Sequence, residues 1–170
     1  MLIDAVQSID SPAVRLVLYG RGDQESRIAE LAKRDCRFMY GGFVGDDVLV
    51  PALLSADVLV NPRPAGRLFA VLSFPSKLIE YLATGRPVLS TRIASIPSLL
   101  APYFNFVQQE GAKAIRDSLL HLLGALEEAE QRAAKGRLVV ADELSEAAIG
   151  RKISGLMEEI INTEHHWRLK

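Results

Sequence analysis

A lysine and a glutamate three residues apart, Lys77 and Glu80, are the residues of this chain best suited to binding a phosphorylated ligand. They lie in residues 73–87 (SFPSKLIEYLATGRP), which predict one short helix. A lysine in the first turn is unfavourable because the positive end of the helix dipole repels cations. A bound phosphate would remove the conflict by accepting hydrogen bonds from the Ser76 and Lys77 N–H groups and from the ammonium, and Glu80 could accept hydroxyl hydrogens. This arrangement favours a nucleotide-sugar ligand; the alternative is a solvated i,i+3 ion pair.

The ends of this helix are marked in the sequence. Pro75 suits the first helical position, and Gly85 followed by Arg86 and Pro87 closes the helix after about ten residues. The spacing predicts two faces. The core face comprises Leu78, Ile79, Leu82 and Ala83, and the free face comprises Lys77, Glu80, Tyr81 and Thr84.

Apolar strands that alternate with helical segments predict a Rossmann-like α/β fold, a doubly wound parallel sheet with helices on both faces. The carboxyl ends of such strands are where ligands bind. A long amphipathic helix is predicted at the end of the chain, over residues 143–163. The predicted strands cover residues 14–19, 37–40, 57–61, 87–91 and 105–108.

Glycines and arginines follow two of these strands. Gly20, Arg21 and Gly22 come directly after strand 14–19, where a glycine turn lets the backbone approach a phosphate; a plain tight turn is equally consistent. The loop after strand 57–61 is about a dozen residues long, which is typical of a binding loop. It is the second place where candidate residues occur. Its Arg63 and Arg67 could reach a phosphate or a sugar, or could be solvated surface residues.

Composition excludes several classes of function. The net charge is −1 with both signs scattered, so no basic field is offered to nucleic acid, and three histidines are too few and too poorly placed for a metal site. Cys36, the single cysteine, excludes an internal disulfide and suits a reducing, cytoplasmic compartment. Asp4 and Asp10 interrupt any apolar signal segment, and no apolar run is suited to cross a membrane.

Three motifs resemble the signature of the C-terminal domain of retaining GT-B glycosyltransferases of family 4, the group 1 class. They are FPSKLIEYLATGRPVLST at 74–91, NPR at 61–63 and IPSLL at 96–100, and the resemblance covers most of residues 13–108. It implies transfer of a sugar from a nucleotide diphosphate to an acceptor, with retention at the anomeric carbon, without metal or other cofactor. Lys77 and the helix N-terminus would hold the diphosphate.

The resemblance also implies roles for single residues. The family helix carries E-x7-E, in which the second glutamate binds the ribose diol and the first contacts the donor sugar. Glu80 matches the second, whereas Leu72 stands at the first position and cannot do that work. In the family the loop that corresponds to 20–22 borders the nucleotide, and the loop that holds Phe43 and Val44 packs on the base. The alternative for the second loop is a glycine-rich connection in which Phe43 belongs to the core.

The resemblance further implies that residues 1–170 are one nucleotide-sugar-binding domain, truncated before its first strand and lacking an N-terminal acceptor domain. The catalytic groups would then lie partly outside the chain, and the fragment would be inactive. The last helix would cross to the absent domain and leave part of its apolar face bare; the alternative is that it packs wholly on its own domain. The absent part could also bring peripheral membrane association and a polysaccharide or glycoconjugate acceptor.

Two other functions remain open at this point. A nucleotide-sugar epimerase of the same fold would also hold a ribose with an acidic residue, but would need no acceptor. A non-catalytic flavodoxin-like interaction domain would have the fold without nucleotide affinity. The donor base and the transferred sugar are not specified by the sequence.

Overall fold

A computed structural model describes residues 1–64 and 74–167, with side chains described up to residue 161. Arg67 and Leu72 therefore lie outside the described residues. Strands and helices alternate through residue 124, and helices follow. The strands are β1 (Leu16–Tyr19), β2 (Phe38–Gly42), β3 (Leu59–Asn61), β4 (Val88–Thr91) and β5 (Asn105–Val107). The helices are α1 (Leu2–Gln7), α2 (Glu25–Arg34), α3 (Asp46–Ser55), α4 (Lys77–Thr84), α5 (Ala112–Gly124), α6 (Leu126–Leu144) and α7 (Glu146–Trp167), with a 3-10 turn at Ala101–Tyr103.

All described strand pairs are parallel. β1 pairs with β2, and β4 lies between β3 and β5. Because parallel strands need a crossover, a helix or a longer segment separates each pair along the chain. The carboxyl ends of the strands within each sheet therefore lie at one edge. The predicted parallel α/β fold is confirmed.

β4 shows that both faces of its sheet are covered. All four of its residues are buried. Two adjacent residues of the strand, Val88 and Leu89, belong to different core clusters. Since successive strand residues point to opposite faces, the two clusters lie on opposite sides of the sheet. One contains residues of α1 and α5, and the other contains residues of α4 and α6. This is the predicted doubly wound arrangement, in which continuous apolar strands are buried on both faces.

Helix α4 begins two residues later than its sequence predicts. Its first helical residue is Lys77, with Ser76 at the N-cap, so Pro75 precedes the helix and is not its first residue. The carbonyl of Pro75 instead accepts the Leu78 N–H at 2.9 Å, which continues the turn into the helix. Gly85 ends it at φ 73°, a left-handed conformation that favours glycine.

The core face of α4 also differs in part from the prediction. Leu78 and Leu82 are fully buried, each 0% exposed. Ala83, predicted to be in the core, is exposed, whereas Tyr81, predicted to be on the free face, is half-buried against the core cluster. A large aromatic ring beside the core gains more from burial than a methyl group does.

Helix α6 was not predicted. Its buried side is made of small residues at helical spacing, Ala129, Ala133 and Gly136, followed by Val140. Small residues give little apolar signal in a periodicity search but let two helices approach closely. Their spacing of four, three and four residues was the available sign.

Gly136 lies where α6 packs closely against its neighbours. A Cβ at this position would lie 2.8 Å from the Tyr103 Cβ and 3.3 Å from the Leu82 Cδ2. We expect Gly136→Ala to lower the free energy of unfolding by about 1–2 kcal/mol, because overpacking outweighs the gain in helix propensity. Urea unfolding measures the change. A Cβ at Gly150 in α7 meets nothing within 4 Å, so Gly150→Ala should stabilise; the same sign for both variants would contradict the packing argument.

The predicted last helix of 143–163 is corrected to Glu146–Trp167, since Leu144 ends α6 and Ser145 is extended. Its apolar face is largely bare, with Leu156 59% exposed. The alternative that this helix packs wholly on its own domain is therefore wrong. No helix in the described part of the chain is long and apolar enough to cross a membrane. The other exposed apolar residues of α7 are Ile149, Ile153, Met157, Ile160 and Ile161.

Candidate nucleotide-sugar site

The turns that follow β1 and β2 are held together at the carboxyl ends of these strands. Gly20 (φ 131°) and Gly42 (φ 66°) have backbone conformations that favour glycine. The Gly20 N–H donates to the Gly42 carbonyl at 2.7 Å, and the Tyr40 hydroxyl donates to the Gly20 carbonyl at 2.9 Å. Burial, and then the nearby Glu25 carboxylate, raise the pKa of Tyr40, so this donor keeps its proton at neutral pH. Hydrogen bonds thus join the two turns directly.

An arginine and a phenylalanine from these two turns stack on each other. The Arg21 guanidinium carbon lies 4.7 Å from the centre of the Phe43 ring. Phe43 is 68% exposed, so it is not the core residue that a glycine-rich connection would contain. Val44 beside it is half-buried. An exposed ring covered by a planar cation is a surface suited to stacking a flat aromatic ligand.

The glycine turn itself offers less to a phosphate than its sequence suggests. The Gly22 N–H donates to the Glu25 Oε1 at 2.8 Å, and the Gly20 N–H is bonded to Gly42. A phosphate would have to displace the Glu25 carboxylate to reach Gly22. The turn therefore serves to position Arg21 more directly than to bind an anion.

The start of α4 has the features expected of an anion site. The N–H groups of Leu78 and Ile79 donate to Pro75 and Ser76 carbonyls, so those of Ser76 and Lys77 have no acceptor within the helix. Ser76, Lys77 and Glu80 are all exposed. No ion pair joins Lys77 to Glu80, although both residues are described, so the solvated pair is not formed.

The ends of β3 and β4 carry a third group of polar residues. Asn61 is paired in register with Ser90, and the Thr91 hydroxyl donates to the Arg63 carbonyl. Arg63 is half-buried here, at the first residues of the long loop. The adjacent Arg92, which sequence reasoning did not single out, lies 4.0 Å above the Phe106 ring. In the sequence, Arg92 could have been identified as a candidate residue because it directly follows a buried strand.

The structure therefore joins some predicted residues directly and leaves others without a direct polar contact. Arg21 meets Phe43, and Arg63 is joined to β4 through Thr91. Within the described ranges, no hydrogen bond or ion pair joins Arg21 or Phe43 to Lys77 or Glu80. A ligand that used both places would need an aromatic part for Phe43 and an anionic part for the start of α4.

The chain belongs to the glycosyl transferases group 1 family, whose model matches residues 1–125. A comparison with curated proteins finds no match. Among solved structures, sucrose-phosphate synthase from Thermosynechococcus elongatus is similar at 19% identity and a TM-score of 0.68, over 95% of this chain and 41% of that one. The Anabaena protein HepE in complex with UDP-glucose is similar at 17% identity and a TM-score of 0.71, over 93% and 44%.

These similarities establish the fold of a GT-B glycosyltransferase domain. The chain spans less than half the length of either solved structure. The activity of a whole enzyme is therefore a matter for proposal.

Proposed function

We propose that this chain is the donor-binding domain of a retaining glycosyltransferase and binds a nucleotide diphosphate sugar without metal. The observation that carries the proposal is the start of α4, where Lys77 and Glu80 are exposed and not paired with each other beside two helix N–H groups. A group 1 family member with such a helix start has both a cation and free donors for a diphosphate. Glu80, one turn on, would accept hydrogen bonds from the ribose hydroxyls.

In the proposed mechanism this domain stabilises the leaving group. Negative charge grows on the nucleotide diphosphate as the sugar departs, and Lys77 with the Ser76 and Lys77 N–H groups would stabilise that charge. We name no catalytic base, since the acceptor and its binding groups are proposed to lie outside this chain. The isolated chain should therefore bind the donor and transfer no hexose. A polysaccharide or glycoconjugate acceptor and a cytoplasmic location complete the proposal.

The open edges of the sheets support a longer enzyme. In the described residues β1 pairs only with β2, and β3 pairs only with β4, so each has one edge without a neighbour. Leu16 of β1 and Val60 of β3 nonetheless pack against the same core cluster. One parallel strand from a preceding segment would cover both edges, which are otherwise liable to pair with other chains. The bare face of α7 would likewise pack on a further domain.

The base of the nucleotide is proposed to stack on Phe43. We expect Phe43→Ala to weaken binding of a nucleoside diphosphate about tenfold, because stacking on an aromatic side chain contributes about 1–3 kcal/mol per base. Unfolding stability should hardly change, since the ring is exposed. Calorimetry measures the affinity. Leu54→Ala, at an exposed apolar residue of α3, is the matched control, and an equal loss in both variants would contradict base stacking.

The proposed function is tested by calorimetry with UDP, GDP and ADP in the presence of a chelator. UDP is the first choice because a similar structure contains UDP-glucose. Both the 170-residue chain and the protein expressed from its complete gene are titrated. Selective binding that Lys77→Ala weakens would support the donor site. No binding of any nucleotide by either protein would overturn it and favour a non-catalytic interaction domain.

An epimerase of the same fold is the second candidate, on the same observation at α4. The two are separated by incubating the complete protein with its nucleotide sugar and analysing the products. A free, epimerised sugar without acceptor would favour the epimerase. Sugar transfer to an added acceptor, with the anomeric configuration kept, would favour the retaining transferase.

A further inference from the structure

Two hydroxyl groups are buried at the carboxyl end of β4. Ser90 is 0% exposed and Thr91 is 5% exposed, in a strand whose other residues, Val88 and Leu89, are apolar core. Burying a hydroxyl group is unfavourable unless it is hydrogen-bonded. The burial of these two hydroxyl groups therefore requires hydrogen-bond partners.

The partners lie across the sheet, where the chain leaves β3. The Ser90 hydroxyl lies 3.3 Å from the Asn61 carbonyl oxygen and 3.0 Å from the Thr91 carbonyl oxygen. It also accepts a hydrogen bond from the Asn61 side-chain amide at 3.2 Å. The Thr91 hydroxyl donates to the carbonyl of Arg63. The Arg63 N–H in turn donates to the Asn61 carbonyl at 3.0 Å. The chain thus stays attached to β4 through Arg63, beyond the last rung of the ladder at Asn61.

We infer that Thr91 is a positioning residue for Arg63. Its hydroxyl fixes the Arg63 backbone beside the end of β4. On the proposed function, this holds the Arg63 side chain in the position from which its guanidinium binds the anionic part of the nucleotide. Ser90 and Asn61 support the same segment from the adjacent rung. The inference rests on the proposed function and adds a residue to it, since Thr91 itself does not touch the ligand.

Thr91→Val removes the hydroxyl at nearly constant volume. We expect it to weaken nucleotide affinity about three- to tenfold, because Arg63 then samples other directions. Thr91→Ser, which keeps the donor, should restore most of the affinity. The probes are UDP, GDP and ADP, and the one that binds most tightly to the unchanged complete protein is used throughout.

A double-mutant cycle separates positioning from general stability. Arg63→Met removes the charge and keeps the aliphatic stem. If Thr91 acts through Arg63, Thr91→Val should cause no further loss of affinity in the Arg63→Met background. A merely structural role would give the same loss in both backgrounds. Should Thr91→Val not fold, Ser90→Ala enters the same cycle, since it removes a hydroxyl of the same network without adding volume.

Thr84 provides the matched control. Its hydroxyl donates to the Tyr81 carbonyl at 2.6 Å, but it lies at the far end of α4 from the proposed anion site. Thr84→Val should lower stability without changing affinity. An equal effect of the two Thr→Val changes on affinity, or an additive cycle, would overturn the inference and leave the proposed function intact. If none of the three nucleotides binds, the proposed function fails and this inference fails with it.

Discussion

Replacing Glu80 with alanine should weaken nucleotide binding more than about tenfold. The carboxylate is exposed on α4 and has no ion pair with Lys77, so it is available to accept hydrogen bonds from two neighbouring hydroxyls of a ribose. Hydrogen bonds to a charged group contribute about 1.5–3 kcal/mol, and each 1.4 kcal/mol is about a factor of ten in the dissociation constant. Titration calorimetry of the complete protein with UDP, GDP and ADP measures the loss.

Two further variants make the result specific to this carboxylate. Glu80→Gln keeps an acceptor without charge and should fall between the natural protein and Glu80→Ala. Glu127→Ala removes an exposed glutamate from the first turn of α6 and should leave affinity unchanged. A dissociation constant that does not respond to Glu80→Ala would remove Glu80 from the proposed site. The use of 2′-deoxynucleotides adds a second check, since they lack one of the two ribose hydroxyls and their binding should be less sensitive to Glu80→Ala.

Replacing Leu82 with alanine should lower the free energy of unfolding by about 2–5 kcal/mol. Leu82 is fully buried in the cluster that joins α4 to β4 and α6, and its Cδ2 lies against the position of Gly136. Removal of a buried leucine side chain loses its transfer free energy and leaves a cavity. Urea unfolding followed by circular dichroism measures the change. Nucleotide affinity should also fall, since α4 carries the proposed anion site.

The control for Leu82 is a leucine of the neighbouring helix. Leu138 in α6 is 63% exposed, so Leu138→Ala removes the same atoms without leaving a cavity. We expect its effect on stability to stay within about 0.5 kcal/mol. A small effect at Leu82, comparable with that at Leu138, would mean that α4 is not held by this core.

Local patterns predicted the strands and the organising helix because their signals are short in range. A buried parallel strand such as Val88–Thr91 reads as a continuous apolar run, and Gly85 marks the end of α4 through its own φ angle. The helix start was placed two residues early because Pro75 is compatible with either position. In the structure the Pro75 carbonyl accepts the Leu78 N–H, and Lys77 is the first helical residue.

Helix α6 was not predicted from the sequence because the burial of its small residues depends on the elements packed against it. Gly136 is buried since Tyr103 and Leu82 lie against it, and that proximity is a property of the packed molecule. The face of α4 shows the same effect. Tyr81 is half-buried and Ala83 exposed because the available space beside α4, and not the helical period, decides which side chain is covered.

Some features of the candidate site follow from the sequence, and others depend on the tertiary structure. The sequence by itself determined the parallel α/β class, the glycine turns after the strands and the exposed Lys77 and Glu80 on one helix, since each follows from residue type and spacing within a few positions. Only the tertiary structure decided that Arg21 covers Phe43 and that Thr91 holds the Arg63 backbone. These pairs are 22 and 28 residues apart along the chain, and only the parallel register of neighbouring strands brings them together.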